Sequence, residues 1–344
     1  MRLCALIMAG GVGSRFWPQS TPTKPKQFLK LIGDKTMLQM TYDRINKLIP
    51  KENIFIVTNE QYKSIIKEQI KEIDDVNIIG EPCGRNTAPC ILLSSLYLKN
   101  LYGEVIVSCV ASDSYIKDEK TFLKKIELAY NFVQKESSAI VTLGISPNRP
   151  ETGYGYINYE KIGKDIEKVI EFVEKPDLET AKKYLESGKY LWNAGMFIFN
   201  NMNMLNELKV NLEPEYNLLC NLPNWNDNNF DSFIDINYAK CEKISIDYAV
   251  MEKSKNVYTI PSDIGWDDVG TWASISRYIE ADENENVSKG NVHLINSHNN
   301  IIYGNGKKII VKNVDNIFCI DSDDVIVIGN KEEISEVYNL GKEE

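Results

Sequence analysis

In the first half of the chain, short apolar runs alternate with longer stretches whose apolar positions recur every three or four residues. The runs at 53–58, 77–80, 104–110 and 139–143, and the one that ends near Ala9, have the length of single buried strands. Between them, 37–49, 62–73, 88–101 and 119–135 have helical spacing. Regular strand–helix alternation predicts an α/β fold with a Rossmann-like, mostly parallel sheet flanked by helices on both faces. From Gly153 the pattern changes to paired strands at 154–159 and 167–173, a helix near 179–187 and a third strand at 190–199. A β-rich insertion of this kind commonly covers the substrate end of an α/β sheet. The segment 280–289 is charged and polar and reads as a linker. Beyond it, short β-type runs at 301–302, 309–311, 317–320 and 325–328 alternate with turn pairs, and only 331–338 has helical spacing. The expected organisation is an α/β domain over 1–280 and a small β domain over 281–344.

The first strand opens into a turn dense in glycine, Ala9-Gly-Gly-Val-Gly-Ser-Arg15, and Lys24-Pro-Lys26 follows. Glycines let the backbone approach a ligand and turn its N–H groups toward an anion. Arg15 and Lys26 add charge-assisted bonds to phosphate oxygens. A polyphosphate cradle at the carboxyl end of the first strand fits this combination, with Ala9, Gly10, Gly11, Gly13 and Ser14 lining it. A dinucleotide fingerprint is excluded because Phe16 stands where its third glycine belongs. A Walker loop is excluded because no Gly-Lys pair is followed by Ser or Thr.

Composition narrows the partners. A formal net charge of −10 argues against nucleic acid or an anionic membrane, so a few placed cations must meet any phosphate. Three of the scarce arginines, Arg15, Arg85 and Arg149, fall in loops rich in Gly or Pro. Seven cysteines without a C-x-x-C pair give no disulfide framework. The two histidines, His293 and His298, have no cysteine cluster beside them to suggest a metal site. No apolar stretch reaches a membrane span and the N-terminus lacks a signal-peptide pattern, so a cytoplasmic protein is expected.

Gly-Gly-x-Gly-x-Arg-x-x-Pro followed by Pro-Lys resembles the motif of the sugar-phosphate nucleotidyltransferases. The Phe-Trp-Pro and Lys-Pro-Lys-Gln-Phe variant is similar to members that join GTP to mannose 1-phosphate. The resemblance implies a magnesium-dependent enzyme that releases diphosphate, with a β-helix-like C-terminal domain and a possible homodimer through it. Some relatives carry a further isomerase domain with a histidine-rich metal site; a single activity is expected here. The resemblance places the metal on Asp113, just past the strand 104–110, and on Asp268 in Gly265-Trp-Asp-Asp-Val-Gly270. Asp113 could instead cap the next helix, and Asp267 competes with its neighbour Asp268. By the same likeness, Arg15 steadies the leaving diphosphate, Lys26 the α-phosphate region and Lys175 the attacking sugar phosphate.

Glu174-Lys-Pro176 ends a strand, so its two charges project from a terminus. A compact ammonium on Lys175 suits phosphate, and Glu174 suits sugar hydroxyls, although a surface ion pair would look the same. The resemblance sets Gly155, Asn193 and Gly195 against the sugar, positions that otherwise read as turns. Asp247, in Ser245-Ile-Asp-Tyr-Ala-Val-Met-Glu252, could face sugar or phosphate or cap a helix. Guanine offers two adjacent donors that a single carboxylate can accept. Glu81, in Glu81-Pro-Cys-Gly-Arg-Asn-Thr-Ala-Pro89, is the candidate, with Arg85 or Asn86 serving the guanine carbonyl or the phosphates and Thr87 beside them. A loop that merely caps the helix after it is the competing reading. Other outcomes are a same-fold enzyme for another base or sugar, a non-catalytic sugar-nucleotide-binding subunit and, most distantly, a Rossmann dehydrogenase.

Overall fold

A computed structural model describes residues 1–11 and 13–341. They form two compact units, each discontinuous in sequence: 1–10, 41–112 and 116–266 in the first, and 11–40, 113–115 and 267–344 in the second. The residues expected as a C-terminal β domain, 281–344, share the second unit with the glycine-rich loop, Asp113 and Asp268.

The first unit is built on a nine-stranded sheet. Its strands are β1 (Arg2–Met8), β2 (Ile54–Asn59), β3 (Ile78–Glu81), β4 (Val105–Ala111), β5 (Ile140–Ile145), β6 (Tyr156–Glu160), β7 (Glu167–Val173), β8 (Tyr190–Asn200) and β9 (Val257–Ser262). They lie in the order β3-β2-β1-β4-β8-β5-β9-β7-β6. β1 pairs in parallel with β2 and β4, β2 with β3, and β5 with β9. β8 runs antiparallel between β4 and β5, and β6–β7 is an antiparallel pair at the far edge. The central strands are continuous apolar runs because both faces of a parallel sheet are covered. The sheet's carboxyl ends thereby place Ala9 after β1 and the loop 82–86 after β3.

Helices α1 (Met37–Asn46), α2 (Lys63–Gln69), α3 (Thr87–Tyr102), α4 (Glu119–Lys135) and α5 (Leu178–Ser187) match the expected spacing to within a few residues, α4 residue for residue and α1 and α2 differing most, at their C-terminal ends. Three more were not anticipated: α6 (Asn201–Asn211), α7 (Glu213–Leu219) and α8 (Phe230–Tyr238). They explain α3, which is buried almost all round from Ala88 to Leu98. Leu96 and Tyr97 of α3 share one core with Leu205 and Leu208 of α6, Leu219 of α7 and Ile234 and Tyr238 of α8. A helix apolar on every side needs cover on every side.

In the second unit the strands are β10 (Val287–Lys289), β11 (Val292–Ile295), β12 (Ile301–Tyr303), β13 (Ile309–Lys312), β14 (Ile317–Asp321) and β15 (Ile326–Asn330). β10, β12 and β14 stack in parallel register and β15 closes the edge antiparallel; β11 and β13 form a second parallel pair. This is the strand-rich, β-helix-like region, and it starts inside the expected linker because Val287 is buried. The stretch 331–338 is 3-10 from Lys331 to Glu336, followed by one short α-helical turn. Phe16, Val269, Trp272, Ile301, Tyr303 and Phe318 share the core. Phe16 meets Trp272 edge to face at 5.3 Å, and the Trp272 indole N–H donates to the Trp17 carbonyl at 2.8 Å. The tail of the glycine loop is thus part of this unit's interior.

Buried asparagines tie the coils together. Asn300 Nδ2 donates to Asn286 Oδ1 at 3.0 Å and to the Val314 carbonyl at 2.9 Å, and its Oδ1 accepts the Ile317 N–H at 3.0 Å. Asn300→Ala would strand these groups in the interior, each worth about 1–3 kcal/mol. The expected result is a thermal midpoint lowered by several degrees, read by calorimetry, with far-UV circular dichroism unchanged at 25 °C.

Candidate active site

In the second unit the site is organised by one ammonium. The Lys26 side chain is 6% exposed. Its Nζ donates to Asp113 Oδ2 at 2.9 Å, to the Asp113 carbonyl at 3.1 Å and to the Asp268 carbonyl at 2.7 Å. A lysine has three donors, so all three are committed to the two acidic turns. Gly13 makes the approach possible: it is left-handed (φ 64°), and a Cβ there would lie 2.3 Å from Lys26 Cβ. Gln27 Nε2 holds the Gly11 carbonyl at 2.9 Å.

The neighbouring aspartates divide their tasks. Asp267 Oδ1 accepts the Val269 N–H at 2.8 Å, and its Oδ2 accepts from Arg277 Nη1 at 3.0 Å. These bonds and complete burial hold Val269 at φ 48°, an uncommon conformation for a β-branched residue. The turn points the Asp268 carbonyl at Lys26. The Asp268 carboxylate oxygens lie 3.0 and 3.3 Å from where a Cβ on Gly270 would stand, with Arg15 Nη1 3.5 Å from the same point. Asp113 does not cap the next helix: α4 is capped by Asp118, whose Oδ1 accepts the Thr121 N–H at 2.9 Å. Two turns bearing hard oxygen donors around one cation suit a divalent ion that keeps water or substrate oxygens.

In the first unit, Glu81 ends β3 and is 5% exposed. Its Oε1 accepts the Tyr238 hydroxyl, while Oε2 lies 3.3 Å from where a Cβ on Gly10 would be. Burial pushes its carboxyl up to about 7, and hydrogen bonds from Tyr238 and Cys90 pull the other way. Of the loop residues named from sequence, Arg85 donates to the Ala239 carbonyl at the end of α8, where a cation is favoured. Asn86 caps α3: its Oδ1 accepts the Thr87 N–H at 2.8 Å. Thr87 Oγ1 accepts the Ile246 N–H at 2.8 Å. Ala9 is buried, its carbonyl accepting the Thr58 hydroxyl at 2.8 Å.

A second cluster of the first unit gathers Gly155, Glu174, Lys175, Asn193, Gly195 and Asp247. Gly155 has no room for a side chain, since a Cβ would fall 2.6 Å from Glu174 Oε2. Glu174 Oε1 pairs with Lys175 Nζ at 3.0 Å; the lysine side chain is 61% exposed and its backbone is left-handed (φ 49°). Asn193 Nδ2 donates to Asp247 Oδ1 at 3.0 Å, and Asn193 Oδ1 accepts the N–H of left-handed Gly195 at 3.0 Å. Asp247 opens a five-residue π-helix, Asp247–Met251, a distortion found often at functional sites. Burial, with Glu174 nearby, pushes its carboxyl up to about 6.

A family model described as nucleotidyl transferase matches residues 4–285. The chain belongs to the nucleotidyl transferase family. A mannose-1-phosphate guanylyltransferase of Salmonella muenchen is 40% identical over 98% of this chain and 72% of its own length. The alginate biosynthesis protein AlgA of Pseudomonas aeruginosa is 35% identical over 98% of this chain and 71% of its own length. A crystal structure from Thermus thermophilus, described as a mannose-1-phosphate geranyltransferase, superposes with a TM-score of 0.89 at 29% identity, covering 100% of this chain and 99% of that one.

For this nucleotidyl transferase, sequence reasoning missed Tyr238, which lies in a helix it did not foresee, and the Arg277–Asp267 support of the acidic turn. Tyr238 is one of only two buried residues of a short amphipathic helix, and no local pattern marks its hydroxyl as a partner of Glu81. Among the described residues, no helix is long and apolar enough to cross a membrane.

Two outcomes follow from these environments. Gly155→Ala should drive Glu174 from its place and break its pairing with Lys175, lowering the thermal midpoint read by calorimetry. Glu81 is raised from 4.5 in an unperturbed chain to about 7 in the fold. The native state therefore keeps a proton that the unfolded chain has lost, and this part of the stability is present below pH 4.5 and lost as pH rises through about 7. Its size is on the order of 3 kcal/mol. Denaturation from pH 4 to 8 should show Glu81→Gln gaining on the parent protein as pH rises; a constant gap would contradict the burial argument.

Proposed function

We propose that the chain is a mannose-1-phosphate guanylyltransferase, converting GTP and α-D-mannose 1-phosphate to GDP-mannose and diphosphate. The observation that carries the reading is the Lys26 ammonium shared by Asp113 and Asp268, on a chain 40% identical to guanylyltransferases. An oxygen of the sugar phosphate attacks the α-phosphorus in line. The bond from that phosphorus to the bridging oxygen breaks, and diphosphate leaves with the electron pair. The attacking oxygen is already ionised near neutral pH, so no general base is needed. Catalysis then rests on positioning and charge neutralisation.

Each cluster takes one part of this work. Exposed Arg15, with the backbone of Gly10, Gly11, Gly13 and Ser14, receives the leaving diphosphate. Exposed Lys175 meets the attacking phosphate, with Glu174, Asn193 and the backbone at Gly155 and Gly195 holding sugar hydroxyls. Asp113 and Asp268 would hold a divalent cation, magnesium in this reading, which supplies positive charge at the phosphate oxygens. Lys26 has no donor left for the α-phosphate while it holds both acidic turns. Its task in this reading is to keep Asp113 and Asp268 in register, with its charge beside the reacting phosphate. Glu81 accepts the paired donors of guanine, while Arg85 and Asn86 shape the loop that carries it.

The decisive measurement is diphosphate release from four nucleoside triphosphates against a panel of sugar 1-phosphates. GTP with mannose 1-phosphate should give the highest kcat/KM. A different preferred pair would overturn the base or sugar assignment, and nucleotide binding without diphosphate release would indicate a non-catalytic binding subunit. Within the site, Lys26→Ala should lower kcat by ~10²–10³, the scale of losing one electrostatic group. Asp268→Asn should raise the magnesium concentration needed for half-maximal rate far more than Lys175→Ala does.

A further inference from the structure

Among the base-loop residues, Glu81 alone brings a carboxylate into the interior, and a carboxylate there has no fixed orientation unless something holds it. The Cys90 thiol of α3 is one holder, and the stronger donor, a phenol, is on α8. Tyr238, fully buried at the last turn of that helix, donates its hydroxyl to Glu81 Oε1. One residue on, the Ala239 carbonyl accepts from Arg85 of the same loop. The end of α8 therefore grips the loop at both Glu81 and Arg85. Tyr238 is packed among Ile234, Cys241 and Ile246 in the main core, an environment in which a hydroxyl is costly to bury without a partner. A phenylalanine would pack there as well, so packing does not account for the hydroxyl.

We propose that Tyr238 is the positioning residue for base selection: it fixes the plane of the Glu81 carboxylate so that both oxygens meet the two adjacent donors of guanine. The inference rests on the reading of Glu81 as the guanine acceptor. Guanine presents a ring N–H and an amino group, whereas hypoxanthine presents only the ring N–H. A fixed carboxylate rewards the second donor, and a swivelling one does so poorly. The preference for GTP over ITP is therefore the quantity Tyr238 controls. The titratable groups facing Glu81 are Tyr238 from α8 and Cys90 from α3, with Cys109 of β4 beside Cys90. Burial raises all three, so they stay protonated across the neutral range and Glu81 is the group that changes.

The test compares the full chain with Tyr238→Phe, Tyr238→His and Glu81→Gln in the complete reaction, with mannose 1-phosphate saturating. Tyr238→Phe should lower the GTP-to-ITP ratio of kcat/KM about tenfold, as for one hydrogen bond to a charged group. Most of the loss should fall in KM for GTP. The midpoint of the pH dependence of kcat/KM for GTP should move upward, because a bond favouring the ionised carboxylate is gone. Tyr238→His restores a donor in a smaller ring and should recover part of the GTP-to-ITP ratio, although it fills the space less well than phenylalanine. If phenylalanine leaves the ratio and the pH midpoint unchanged, or histidine selects worse than phenylalanine, the proposal is overturned. If Glu81→Gln keeps the parent preference for GTP over ITP, the base reading itself fails instead.

Discussion

A single buried ammonium holds the two acidic turns of the second unit in place. Lys26 meets oxygens from residues 113 and 268, which lie far from it in sequence, and it does so from a site with almost no water. Removing such a charge from water is unfavourable unless every donor finds an acceptor. Here three donors find three. The glycine at 13 is a requirement of that arrangement, because any side chain would strike Lys26. The loop that looked like a phosphate cradle alone is equally a device for seating a lysine.

The same logic, with the sign reversed, governs the first unit. Glu81 and Asp247 are carboxylates taken from water, and both are raised toward the neutral range by burial. Each is held by neutral donors, a phenol and thiol for Glu81 and an amide for Asp247. Neutral partners leave such a group able to respond to a ligand, where a buried arginine or lysine would have neutralised it. Asn193 satisfies Asp247 with one end and the Gly195 N–H with the other, so one amide orders both a carboxylate and a turn.

Most of the sheet was legible because parallel strands buried on both faces are continuous apolar runs, as in β1, β2 and β4. Helices with one wet face, such as α4, were legible by their spacing. The segment 201–238 was not, since α6 to α8 serve mainly to cover α3 and mix short apolar runs with many asparagines. β9 was missed although it lies inside the sheet, because its run is interrupted by threonine, proline and serine. Local motifs brought Gly13, Lys26, Asp113 and Asp268 into view one by one. The bonds that join them span up to 242 positions, and no local pattern encodes that. Asn86 was named for ligand chemistry with a helix-capping loop as the competing reading, and in the fold its Oδ1 accepts the Thr87 N–H at the start of α3.

The stretch from Tyr238 to Asp247 joins two clusters that sequence treats as separate. Tyr238 holds Glu81, the Ile244 carbonyl accepts the Ala88 N–H, the Ile246 N–H reaches Thr87 Oγ1, and Asp247 accepts from Asn193. This short stretch thus anchors the loop after Glu81 at one end and the Asn193 cluster at the other. Its backbone leaves α8 through a turn at 239–240 and enters the π-helix at Asp247. A π-turn widens the helix and shifts its register by one residue relative to an α-turn. The stretch from Tyr238 to Asp247 therefore ties the loop after Glu81 to the Asn193 cluster through one main-chain hydrogen bond and three that involve side chains.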